Sequence, residues 1–288
     1  MASVCGRLGA RGGGALSAFF TCPGNKLARF VNSTKGIDKA AKAAKSAAEL
    51  TASILEQSGG AGTDACVTAS KVAKGLGDAR TVIALGNVFN GSVPSTIQSA
   101  RNCFSHLQAA ARNNAEGTCA NLKDVCVSHK RRAVAEACSA VGGAAYIAAF
   151  GAIRPMLFVN KVLAKPFLSS KAKESLGASV SYIMAANHAA SVLGAAVSIS
   201  AERADCEERC ARIWCESEEL CAIAAEQART STRIKYKVLS LIEKALECVA
   251  DLFKLVPLPI SCGIRAIVAA GCTLTSSIIG LVTFWSRT

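Results

Sequence analysis

Between Ser175 and Ala201 the chain runs 27 residues without an aspartate, glutamate, lysine or arginine. Two stretches of 21 residues behave alike: Ala133–Ile153, where Glu136 is the only charge, and Ala266–Ser286, which has none. A hydrocarbon core of ~30 Å needs about 20 helical residues, so each run is long enough to cross one. The first two are poor in Leu and Ile, and Asn187 and His188 interrupt the second. The third concentrates Ile278, Ile279, Leu281, Val282, Phe284 and Trp285 near its end and is the best single spanning candidate. Composition agrees: 18% of residues are charged, against roughly a quarter in an ordinary soluble domain. Much of the apolar weight is alanine, which favours helix but removes little area from water. The expected class is all-α, a membrane-associated helical protein with apolar helical hairpins and flanking amphipathic helices.

Spacing sharpens this reading. Ala140, Ala144, Ala148 and Ala152 recur every four residues, as do Ala186, Ala190, Gly194 and Ser198. Small residues at that interval let two helices approach closely, which is how helices associate in lipid. The two stripes predict a membrane hairpin; close packing inside a soluble bundle is the competing reading. Lys130, Arg131 and Arg132 precede the first run, while Trp285 and Arg287 close the third, as interfacial anchors do. A hairpin over 133–201 places the basic connector 154–174 on the far side of the membrane.

Other segments read as helices between turns. Ile37, Ala41, Ala44, Ala48, Thr51 and Leu55 repeat at helical spacing beside Lys39, Lys42 and Lys45, and Gly59-Gly60-Ala61-Gly62 ends that helix. A second helix runs from Asp64 toward Val88, broken by Gly75, Gly77 and Gly86. Gly91-Ser92-Val93-Pro94-Ser95 reads as a turn, residues 95–112 as a helix, and Arg154-Pro155 as the end of the first apolar run. Ile234–Val256 is amphipathic, with Ile234, Val238, Leu241, Ala245, Val249, Leu252 and Val256 on one face. Its charges at Glu243, Lys244, Glu247, Asp251 and Lys254 predict that it lies on a surface or packs on another helix. Pro257-Leu258-Pro259 stops it.

The resulting division is a flexible N-terminal segment (1–25), a soluble helical region (26–128), the apolar hairpin with its basic connector (129–201), a charged cysteine-containing helix (202–233), and an amphipathic plus apolar C-terminal pair (234–288). The formal charge of +13 is uneven. Residues 1–132 carry 17 basic side chains against 7 acidic ones, whereas 202–229 carry 4 against 8. That pattern suits an anionic membrane surface or an acidic partner. Dispersed basic residues without aromatic platforms argue against nucleic acid. The apolar run Ala15–Phe20 is shorter than a secretory signal core, so any export is expected to use another route.

No catalytic constellation emerges. The three histidines, His106, His129 and His188, lack a nucleophile or acid context, and no phosphate loop follows Gly12-Gly13-Gly14. The chain is read as a non-enzyme without a catalytic, cofactor-binding or metal site. Two Cys-x-x-His pairs, Cys103–His106 and Cys126–His129, carry zinc-type ligands; with 14 cysteines in the chain, chance pairing is the simpler reading. Cys206, Cys210 and Cys221 share a helix face, and the cysteines are read as mostly reduced.

Several segments carry a resemblance. Met1-Ala2-Ser3-Val4-Cys5-Gly6-Arg7-Leu8, Asn25-Lys26-Leu27-Ala28-Arg29-Phe30-Val31-Asn32 and Ala149-Phe150-Gly151-Ala152-Ile153-Arg154-Pro155 closely resemble a chlamydial inclusion membrane protein. So do Ser181-Tyr182-Ile183-Met184-Ala185-Ala186-Asn187-His188-Ala189-Ala190 and Phe253-Lys254-Leu255-Val256-Pro257-Leu258-Pro259-Ile260. The resemblance implies type III secretion through an uncleaved N-terminal signal and insertion into the vacuole membrane around the bacteria. It also implies soluble parts facing the host cytosol, with 26–128 and 202–256 as recognition surfaces. Host proteins, a type III secretion chaperone and further copies of the chain are the expected partners. Both ends in the cytosol require an even number of crossings, so 266–286 needs a partner, such as a short crossing over 245–264, or must not span. The alternative is a soluble all-helical secreted effector or zinc-stabilised binding module.

Overall fold

The computed structural model describes residues 30, 33–115, 120–217 and 220–287, and among them contains helices but no strand. The helices are α1 (Thr34–Gln57), α2 (Asp64–Asn87), α3 (Val93–Ala115), α4 (Ala120–Ile147), α5 (Arg154–Val162), α6 (Ser170–Ser217), α7 (Leu220–Leu255) and α8 (Cys262–Arg287). The Ser33 hydroxyl accepts the Gly36 N–H to cap α1, and Thr63 accepts that of Cys66 to cap α2. Between them, Gly59 and Gly62 turn the chain at φ +84° and +88°, a region open to glycine at little cost. The second helix continues without a break through Gly75, Gly77 and Gly86.

Two expected interruptions are instead wide helical turns. Val88–Ser92 and Ala148–Ile153 are π-helical, joining α2 to α3 and α4 to α5. Each stands just before a proline, Pro94 and Pro155. Proline lacks an N–H and its ring collides with the carbonyl four residues back; a π turn, with its i→i+5 bonds, accommodates the change without ending the helix. The two π segments meet: a Cβ on Gly151 would lie 3.1 Å from Val88 Cγ1. Around that contact Ala84, Val88, Ala149, Phe150 and Val180 form a buried apolar cluster. The connector between α4–α5 and α6 thereby shrinks to residues 163–169, held where Asn160 accepts the Leu168 N–H at 2.8 Å.

Neighbouring helices close into a ring: α1 packs on α2, the α2–α3 helix on α4–α5, α4 on α6, α6 on α7, α7 on α8, and α8 returns to α1. Consecutive members run antiparallel. Gly142 abuts Asn187, His188 meets Asp251, and Glu247 meets Ser276. Gly36 and Phe284 pair the start of α1 with the end of α8. Beyond the ring, α3 and the first half of α4 pack beside the second half of α6 and the first half of α7. That extension is tied by Ser128 to Asp205 (2.6 Å), Arg209 to Glu226 (2.8 Å) and Lys237 to Glu202 (2.7 Å), besides the Arg132–Asp205 ion pair.

The divisions drawn at 128/129, 201/202 and 233/234 fall inside α4, α6 and α7 respectively, because the charge pattern changes along each helix while the backbone does not. The C-terminal run packs on α7, as at Tyr236, Glu243 and Glu247, and because α7 ends at Leu255 and α8 begins at Cys262 residues 245–264 are not one continuous helix. Three helical stretches are long and apolar enough to cross a membrane: Val127–Val162, Ser170–Cys215 and Cys262–Arg287.

Candidate functional site

The ring holds a half-open cavity of about 480 Å³ lined by residues from α1, the α2–α3 helix, the α4–α5 helix, α6, α7 and α8. Its chemistry inverts that of a soluble core. On α1 Ile37, Ala44 and Thr51 of the apolar stripe are exposed and Ala41, Ala48 and Leu55 half-buried, while Ser46 is buried and the lysines line the cavity. On α7, Glu243 and Glu247 are buried, and Val249, Leu252 and Val256 face outward. Both helices are amphipathic as their spacing requires, and Lys39, Lys42, Glu243 and Glu247 of their charged faces meet in the ring interior.

Glu247 is the hub. Its carboxylate pairs with Lys42 of α1 and with Lys244 at 2.9 Å, meets His188 Nε2 at 3.0 Å, and accepts the Ser276 hydroxyl at 3.1 Å. One turn from Glu247, Glu243 pairs with Lys39 at 3.1 Å. A Cβ on Gly280 would come within 2.6 Å of both partners, so that glycine makes room for an ion pair against the most apolar helix. Around the rim, Arg80 forks onto Asp38 (2.9 and 3.4 Å), Lys45 pairs with Glu49, and His188 Nδ1 meets Asp251 at 2.6 Å.

The small-residue stripes are only partly brought together. Gly194 is buried against Cys138, where an added Cβ would lie 3.0 Å from its Cβ; Ala190 and Ser198 are half-buried and Ala186 is exposed. Ala140 is half-buried, but Ala144, Ala148 and Ala152 are exposed. The α4–α6 contact instead runs through Gly142, which faces Asn187 and Ser191, because α4 is turned to bury Gly142, Ala149 and Phe150. Of the anchors, Lys130 and Arg131 are exposed, whereas Arg132 is drawn to Asp205. Trp285 packs edge-on to Phe30 with ring centroids 5.5 Å apart, and Arg287 lies 4.7 Å over the Tyr236 ring.

The histidines of the two Cys-x-x-His pairs face each other across α3 and α4. His106 Nδ1 and His129 Nδ1 are 3.3 Å apart, and burial together with Arg132 and His129 lowers the His106 pKa. Among the described residues no third ligand joins them; the side chain of Cys126 lies outside the described residues. Cys206 and Cys210 approach to 3.9 Å, while Cys215 and Cys221 are exposed.

The charged cavity was not visible to sequence reasoning because its two halves, Lys39 and Lys42 against Glu243 and Glu247, are some 200 residues apart. The available signal was acid and base at three- and four-residue intervals within otherwise apolar helices. No family model matches the chain, nor does any curated protein or solved structure.

Proposed function

We propose that this protein is a type III secreted inclusion membrane protein that anchors its helical ring in the membrane of a pathogen-containing vacuole. From there it presents helical surfaces to host cytosolic partners. The observation that carries the membrane assignment is the inverted polarity of the ring. Leu193, Leu252 and Val282 are at least half exposed on its outside, while Glu243 and Glu247 are buried within. In water each exposed aliphatic side chain would forgo about 1.5–3 kcal/mol of burial; hydrocarbon around the ring removes that cost. The three span-length helices supply the required length.

Export and the choice of membrane rest on the resemblance of the N-terminal, 149–155 and 181–190 segments. The antiparallel order favours an even number of crossings, since the start of α1 and the end of α8 lie at one end of the ring. At that same end stands the four-segment extension of α3, α4, α6 and α7, where Phe104 and Trp214 are exposed. This extension is the surface offered to host proteins, and its role is scaffolding. Alkaline carbonate extraction of membranes from infected cells tests the anchoring. The protein stays in the pellet until detergent is added; release by carbonate alone contradicts the proposal.

A further inference from the structure

The cavity carries more positive charge than its own carboxylates neutralise. Eight lysines and arginines line it against five carboxylates. Each carboxylate is already engaged: Asp38 by Arg80, Glu49 by Lys45, Glu243 by Lys39, Glu247 by Lys42 and Lys244, and Asp251 by His188. Among the described residues Lys35 and Lys254, both exposed at the rim, and the half-buried Arg154 have no carboxylate within ion-pair distance. Arg154 instead lies with its guanidinium 4.5 Å over the Phe150 ring, leaving its N–H fork without a protein acceptor. Lys45 shares the cavity wall with Arg80 and Lys254.

Unpaired like charges converging on one cavity repel each other, and an anion that joins them relieves that repulsion. The guanidinium fork matches the oxygens of a phosphate, and lysines add point charges around it. The cavity volume falls within the range of small-molecule sites, roughly 300–1,000 Å³. We infer that the ring cavity binds a phosphate-bearing anion, with the Arg154 guanidinium as its fork and Lys45, Arg80 and Lys254 as the surrounding charges. The phosphate can belong to a free compound or to a lipid headgroup entering between helices. The site does not depend on which membrane the protein occupies, so its test stands apart from the carbonate extraction.

Full-length protein is reconstituted in nanodiscs of pure phosphatidylcholine and titrated calorimetrically with pyrophosphate. In a second arm, nanodiscs containing phosphatidic acid are compared by thermal unfolding without added pyrophosphate. Saturable pyrophosphate binding, weakened about tenfold or more by Arg154→Gln and by Lys254→Gln but not by the surface change Arg212→Gln, supports a free phosphate compound. Stabilisation by phosphatidic acid that disappears in the same two variants supports a lipid headgroup. Lys254 is exposed at the rim, so Lys254→Gln keeps the test decisive if Arg154→Gln fails to fold. Absence of both effects in the unsubstituted protein, or effects equal in Arg212→Gln and the cavity variants, overturns the inference.

Discussion

Ser276 donates a 3.1 Å hydrogen bond to Glu247 from the helix with the highest mean hydropathy of the three span candidates. Four residues later in the same helix, Gly280 leaves space for the Lys39–Glu243 pair. The most apolar segment of the chain therefore contributes its small polar face to a charged interior and its aliphatic face to the outside. A carboxylate near the centre of such a ring is tolerated only when paired and hydrogen-bonded, and Glu247 has both kinds of partner.

Removing Glu247 strands Lys42 and Lys244. Breaking one side of a buried pair typically costs about 3–5 kcal/mol, so Glu247→Ala lowers the thermal unfolding midpoint sharply or prevents accumulation of folded protein. Ser276→Ala removes a single donor and costs about 1–3 kcal/mol. Circular dichroism melts in one detergent rank the two; equal small losses would show that the hub carries little of the stability.

Helix contact between α4 and α6 depends on glycine rather than on the alanine stripe of α4. Gly142→Leu and Gly194→Leu drive a side chain into Asn187 and Cys138 and cost about 1–3 kcal/mol. Ala148→Leu, on an exposed position, stays within about 0.5 kcal/mol of the parent. Unfolding curves of the three variants check the order.

The proposed topology rests on the antiparallel ring. Cys215 and Cys221 lie at the end shared by the start of α1 and the end of α8, whereas Cys262 begins α8 at the opposite end; all three are exposed. A membrane-impermeant maleimide applied from the cytosolic side labels Cys215 and Cys221 and spares Cys262. It also spares a cysteine introduced in residues 163–169. Labelling of Cys262 together with Cys221 contradicts this arrangement.

Which parts were legible in the sequence has a physical basis. Runs without charge identify α4, α6 and α8, and the Gly59–Gly62 and Pro257–Pro259 signals mark the ends of α1 and α7, because those properties are local. Pro94 and Pro155 read as breaks, since a proline forbids the ordinary helical bond and nothing local announces a π turn. For α1 and α7, periodicity gives the existence of two faces but not the side on which water lies. That choice depends on Glu243 and Glu247 meeting lysines from the other end of the chain, and on Gly280 and Ser276 admitting them. The α4 stripe fails as a guide to contact for the same reason: spacing defines a face, and packing at Gly142, Ala149 and Phe150 decides which face turns inward.

The central claim is that aliphatic side chains on the outside of the ring face lipid while charges lie within. It is tested most directly by spin labels at Leu252→Cys and Val282→Cys in reconstituted protein, compared with a label at the extension residue Arg212→Cys. Collision rates with oxygen and with a water-soluble nickel chelate are measured for each. The account predicts that Leu252 and Val282 labels collide readily with oxygen and scarcely with the chelate, while the Arg212 label shows the reverse. Free access of the chelate to both ring positions would contradict it.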